Sequence, residues 1–228
     1  MTTLQLIVII VLVLVVVAWW LYSLGIKNNE VDWGGKWLAC IDGLNRVFCR
    51  RFHRLPVTTL DLPEKGGCII ASNHVSGLDP LVLIASSKRP LRFMIAREEY
   101  ERFGLQWLFR GVGCIPVERS ARPEQALREA LRTLQAGEVV ALFPHGKIHL
   151  DSDPKRKVKK GVAWLSHQAN VPVHPFRLSG ITGEGHTILS VFIRSKVKID
   201  AFDSIHCEAM SNHDCLEKIA SCIEGRQV

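Results

Sequence analysis

From Leu6 to Leu21 the chain carries no charged or strongly polar side chain. A helix over Leu4–Leu24, at about 1.5 Å per residue, extends roughly 31 Å, the thickness of a bilayer's hydrocarbon core. The run therefore reads as one membrane span. A cleaved secretory signal is the rival reading. Such signals open on a basic region and close on small residues, whereas this segment opens MTTLQ and closes AWWLYSLG. Trp19, Trp20 and Tyr22 stand where an interfacial aromatic belt belongs, and Lys27, Lys36, Arg46, Arg50, Arg51 and Arg54 follow them. That basic bias places the C-terminal bulk in the cytoplasm.

With 228 residues the chain has room for one ordinary domain and an appendage. Three parts are expected: an anchor over 1–26, a basic amphipathic membrane-interface helix over 27–56, and a cytoplasmic domain over 57–228. In the second part Trp37, Ile41, Leu44, Phe48, Phe52 and Leu55 recur at helical spacing, while Lys36, Arg46, Arg50 and Arg54 fall mainly on other faces. Two readings fit that pattern. One is a helix lying in the membrane interface; the other is a core-packing helix with a solvated basic face. Pro56 marks its expected end.

Beyond Val57 short apolar runs alternate with helix-like segments. Strands are expected at Cys68–Ser72, Leu91–Ala96, Cys114–Glu118, Val139–Phe143 and Val173–Leu178, with Ile188–Ile199 as one long or two short strands. Helices are expected at Asp79–Ser86, Arg97–Arg110, Pro123–Ala136 and Gly161–Ala169. The alternation predicts an α/β fold, a mixed, largely parallel sheet covered by helices.

The net charge of +7 comes with no nucleic-acid-binding motif, so anionic lipid headgroups are the better partner. The seven cysteines are scattered and odd in number, which predicts reduced thiols on a cytoplasmic domain. His206, Cys207, His213, Cys215 and Cys222 match no zinc spacing. Cys215, Ile219, Cys222 and Ile223 share a helical face, as buried side chains do. A P-loop, a dinucleotide fingerprint and a G-x-S-x-G elbow are all absent.

Chemistry concentrates in ASNHVSGLDPL, residues 71–81, between an expected strand and an expected helix. His74 can take a proton from an alcohol near neutral pH, and Asp79 can fix its tautomer and stabilise the imidazolium. Gly77 lets the loop turn so that the two meet. No serine or cysteine stands as a third member, which points to a nucleophile on the substrate. The backbone N–H groups of Gly77 and Leu78 are candidate donors to an oxyanion. The plainer alternative is that His74 caps the helix and Asp79 sits in its first turn.

Four blocks follow in order: NHVSGLDP, GCIPVER (Gly113–Arg119), FPHGK (Phe143–Lys147) and VPVHPF (Val171–Phe176). Together they resemble the phospholipid/glycerol acyltransferase family over roughly residues 57–200. The resemblance implies a general base at His74 oriented by Asp79, with Asn73, Ser76, Gly77 and Gly113 near the substrate. It implies Arg119 at an acceptor phosphate, a task suited to a guanidinium. The third block departs from the family's F-P-E-G-T-R: His145 replaces the glutamate and Ile148 the arginine. Pro144 and Gly146 keep the turn, Lys147 offers a replacement cation, and the resemblance implies Pro144, His145, Gly146 and Lys147 as substrate-binding residues. Lys155, Arg156, Lys157, Lys159 and Lys160 form a basic run leading into KKGVAWL, which also resembles the family's continuation; the alternative for the run is a solvated face or contact with anionic lipid.

The resemblance implies an O-acyltransferase that moves a fatty acyl chain to the sn-2 hydroxyl of lysophosphatidic acid. Acyl-CoA or acyl carrier protein would be a donor substrate, with no resident cofactor or metal. Another lysolipid or hydroxyl acceptor, a hydrolase, and a non-catalytic lipid-binding relative are the alternatives. A single-pass protein of a bacterial inner membrane is the expected setting.

Overall fold

The computed structural model describes residues 2–118, 123–154 and 156–225. Helix α1, Thr3–Asn28, opens on a capping box: Gln5 N–H donates to the Thr2 hydroxyl at 3.3 Å and Thr2 N–H to the Gln5 side chain at 2.9 Å. Its side chains stay exposed from Leu4 through Leu21. Among the described residues it is the one helix long and apolar enough to cross a membrane. Its last turns pack against α2, Lys36–Arg51, so closely that a Cβ on Gly43 would lie 1.8 Å from the Gly25 carbonyl oxygen. Two glycines are what let the helices meet.

Helix α2 stops short of Pro56, and Arg54 already has φ of 52°. Arg46 is not on a solvated basic face. It is fully buried, paired with Asp42 at 2.6 Å and Glu30 at 3.1 Å, and donates to the carbonyls of Ala85 and Ser87. Arg50 pairs with the same Glu30 at 2.7 Å, and its hydrogen bond holds that carboxyl below the usual range. Removing one partner of such a buried cluster costs about 3–5 kcal/mol, because the other charge is left uncompensated.

Among the described residues the domain is built on a six-stranded sheet: β1 Cys68–Ser72, β2 Leu91–Ala96, β3 Ile115–Val117, β4 Val139–Leu142, β5 Val173–Ser179 and β6 Lys198–Ala201. Their order is β3-β2-β4-β1-β5-β6, parallel throughout except that β6 runs against β5. The largely parallel sheet expected from the alternation is therefore present. Strand β1 is buried on both faces, so its CIIAS run is apolar without alternation. Ile69 and Ala71 meet α6 (Glu124–Gln135), α7 (Gly161–Ala169) and α9 (Asn212–Glu224). Cys68 and Ile70 meet α2 and α3 (Asp79–Ser86), where Val82 and Leu83 each contribute about 1.5–3 kcal/mol by burial.

Three expectations fail. Residues 97–110 are not one helix but two, α4 (Arg97–Tyr100) and α5 (Gln106–Gly111), parted where Gly104 takes φ of 81°. Ile188–Ile199 is not strand: Leu189–Phe192 is helix α8, and only Lys198 onward joins the sheet. Cys207 and Cys215 are not thiols but a disulfide, because a 3₁₀ turn at Cys207–Ala209 and the Ser211-capped start of α9 bring their Cα atoms to 5.3 Å. Five cysteines remain free, and burial pushes the Cys49 thiol up to about 12 and those of Cys68 and Cys114 up to about 11.

Candidate active site

In a parallel sheet, ligands bind outside the carboxyl ends of the strands. Here β1 runs into NHVSGL and its neighbour β4 into FPHGK, so sheet order alone brings the first and third blocks together. His74 Nδ1 lies 2.7 Å from Asp79 Oδ2, and because a carboxylate only accepts, Nδ1 carries the proton. Nε2 is the nitrogen left for chemistry.

Asp79 is fully buried at the N-terminus of α3 and is saturated with donors. Its Oδ2 also accepts from Val75 N–H at 2.7 Å and Ser76 N–H at 2.9 Å, and its Oδ1 from the Ser76 hydroxyl at 2.7 Å. Four donors and the helix terminus offset the desolvation of that charge. The His74 ring stacks on Phe143 with centroids 4.1 Å apart, and His149 N–H donates to the His74 carbonyl at 2.7 Å. Residues 143–149 therefore hold the His74 imidazole from the side.

A cavity of about 1150 Å³ opens over His74, Gly77 and Phe143. One wall is apolar, with Leu38 and Ile41 of α2, Leu81 and Ile84 of α3, and Phe109 of α5. Another is cationic, with Lys147, Lys159 and Lys160, none of which forms an ion pair among the described residues. Lys159 lies across the third-block turn: a Cβ on Gly146 would come within 2.6 Å of its Nζ.

The expected substrate-binding residues separate. Pro144, Gly146, Lys147 and Gly77 line the cavity. Asn73 does not: it is buried, with its amide donating to the Leu178 carbonyl at 2.9 Å and accepting from Leu178 N–H at 2.7 Å, and so fastens β1 to β5. Ser76 is also buried and serves Asp79 and Leu78 N–H. Gly113 is absent from the cavity wall; its φ of 71° leaves space for the Arg92 guanidinium, 2.9 Å from a Cβ there. His145 is 3% exposed and turned away from the cavity, with Nε2 3.3 Å from Glu224 of α9. Arg119 lies outside the described residues.

The proposed oxyanion donors are already engaged. Gly77 N–H donates to the His186 carbonyl at 3.3 Å and Leu78 N–H to the Ser76 hydroxyl at 3.1 Å. Gly77 is glycine because of close approach, since a Cβ would sit 1.8 Å from the Thr187 carbonyl oxygen. Phe143 belongs to the third block, yet only sheet order reveals that it stacks on the His74 ring.

A family model described as Acyltransferase matches residues 54–179. The 1-acyl-sn-glycerol-3-phosphate acyltransferase of Bacillus subtilis is 20% identical over 72% of this chain and 80% of its own. The N-acylphosphatidylethanolamine synthase of Arabidopsis thaliana is 34% identical over 48% of this chain and 42% of its own. The crystal structure of the 1-acyl-sn-glycerophosphate (LPA) acyltransferase PlsC from Thermotoga maritima superposes with a TM-score of 0.65 at 19% identity, covering 84% of this chain and 81% of that one, and so shares the fold. With more than half its length matched by the family model, the chain belongs to the acyltransferase family.

Proposed function

We propose that the protein passes a fatty acyl chain from an acyl thioester to the sn-2 hydroxyl of lysophosphatidic acid, giving phosphatidic acid at the membrane surface. The observation that carries this reading is one cavity that combines an Asp79-oriented His74, an apolar wall and three lysines that form no ion pair among the described residues. His74 Nε2 takes the hydroxyl proton as the oxygen attacks the thioester carbonyl. Asp79 stabilises the imidazolium that forms. The C–S bond then breaks, and the departing thiolate recovers the proton from His74. An apolar wall suits an acyl chain, while Lys147, Lys159 and Lys160 suit a phosphate, with Arg119 added by the family resemblance.

Helix α1 serves as a single span with the catalytic domain on the cytoplasmic side of a bacterial inner membrane, which keeps His74 where amphiphilic acceptors reside. The Cys207–Cys215 bridge pulls against a reducing compartment, so protease protection of the domain in sealed vesicles tests the orientation. A second reading keeps the chemistry and changes the acceptor. It is favoured by the altered third block, where Ile148 lines the cavity, and by the activity for which the plant relative is named.

Purified full-length protein offered radiolabelled acyl-CoA or acyl carrier protein with a panel of lysolipids tests both. Labelled phosphatidic acid, lost in His74→Ala, is expected. Acylation of another lysolipid alone selects the second reading; thiol release without acylated lipid indicates hydrolysis; no turnover with either donor leaves a lipid-binding protein.

A further inference from the structure

The third block's departure from the family pattern has a partner elsewhere in the chain. His145 is buried, with Nε2 3.3 Å from Glu224 Oε1 and with a buried Nδ1 that has no hydrogen bond among the described residues. Glu224 is the last residue of α9. One residue back, the Ile223 carbonyl accepts from Arg177 of β5 at 2.8 Å, and the same guanidinium pairs at 2.6 Å with Asp151, just beyond the third block. Gly225 closes α9 with φ of 65°, and a Cβ there would lie 2.8 Å from Arg177 Nε. The end of α9 is thus fastened to the segment 145–151 by two independent bridges.

That segment holds the base. Phe143 stacks on the His74 ring, and His149, whose own ring is 4.7 Å from that of His145, donates its N–H to the His74 carbonyl. A glutamate at 145 would face Glu224 carboxylate to carboxylate at this distance, which is repulsive in a buried setting. The imidazole at 145 and the carboxylate at 224 are therefore complementary, and neither reaches the cavity wall.

We propose that His145 is a positioning residue: with Glu224 it latches the C-terminal helix to the third-block turn and so sets Phe143 and His149 against His74. This rests on His74 as the base and not on the identity of the acceptor. Residue 145 accordingly governs turnover and leaves acceptor choice to the lysines.

Exchange of the pair tests the latch in the full-length protein. His145→Glu and Glu224→His should each lower kcat roughly tenfold while leaving the acceptor KM within about twofold. The double variant, His145→Glu with Glu224→His, should recover to within about threefold of wild type, as should Glu224→Gln, which keeps an acceptor oxygen. A substrate-independent reading accompanies these: modification of His74 by diethyl pyrocarbonate, followed by peptide mass mapping, should speed up in the single variants and return to the wild-type rate in the exchange. A protein inactive on every acceptor defeats the functional reading, and His74 reactivity then decides the latch alone. A double variant no better than the worse single overturns the proposal. So does a changed acceptor KM in His145→Glu, or single variants that lose only thermal stability.

Discussion

Among the histidines that meet a carboxylate, His74 and His145 form pairs that are mirror images in exposure. At His74 the side chain is 19% exposed and its partner Asp79 is fully buried. At His145 the imidazole is 2% exposed and Glu224 is 18%. A base needs its carboxylate held out of water and its far nitrogen open to substrate, which is the first arrangement. The second points the imidazole inward and leaves no nitrogen facing the cavity, so it can fasten elements together but not touch an acceptor. Both pairs join an imidazole to a carboxylate, through Nδ1 to Asp79 in the first and through Nε2 to Glu224 in the second; which partner reaches the outside decides which imidazole is placed for the proposed chemistry.

The largest expected effect breaks the first pair. His74→Ala should lower kcat by roughly 10²–10⁴-fold while the protein stays folded, measured as acyl transfer beside circular dichroism. Activity undiminished would remove the base from the mechanism. Asp79→Asn comes next, with an expected loss on the order of 10² in rate and about 1.5–3 kcal/mol in stability, because one charged acceptor serves four donors. Wild-type rates with lowered stability would reduce Asp79 to a helix cap.

The glycines of the two blocks sharpen the contrast. Gly77→Ala presses a Cβ onto the Thr187 backbone and must displace the segment leading to α8, which also lines the cavity. Its expected cost is about 1–3 kcal/mol, with a fall in kcat. Gly146→Ala meets only the flexible end of Lys159, although its φ of 75° adds about 1–2 kcal/mol of backbone strain. Displacing that ammonium should raise KM for a phosphate-bearing acceptor more than it lowers kcat. Equal changes in both constants for both variants would erase the distinction.

Much of this was legible in the sequence because local signals and tertiary packing agreed. Cys68–Ser72 and Gly161–Ala169 form as the pattern predicts, and the His74–Asp79 contact follows from a loop between a strand and a helix. What was not legible depends on facing. The β-branched run near Ile188 resembles a strand, yet it folds as α8 over the cavity, and its neighbour Val191 accepts from the buried His53 at 3.1 Å. Arg46 looked like part of a basic surface until the turn at Glu30 and the carbonyls of Ala85 and Ser87 closed around it; its spacing of four from Asp42 was the available signal. His145 sits inside a cavity-lining block but points the other way, and backbone direction at a single turn leaves no trace in composition.

The smallest effect concerns acid stability. Burial pushes the pKa of His145 down, with Glu224 opposing it, and burial likewise lowers His53 and His174. In the unfolded chain these groups titrate near the ordinary histidine value of about 6.5. Below that pH the unfolded state binds protons that the folded state still refuses, so stability is complete above about 6.5 and declines as pH falls toward the lowered native values. Glu30, also lowered, loses its contribution only in the more acidic carboxylate range, so the two windows separate. His145→Gln keeps a donor for Glu224 and removes one titrating group, so its melting temperature should vary less with pH between about 6.5 and 5 than that of the wild type. Parallel curves would mean that the inward-facing histidine takes up its proton as readily in the fold as in the open chain, and the contrast with His74 would then rest on geometry alone.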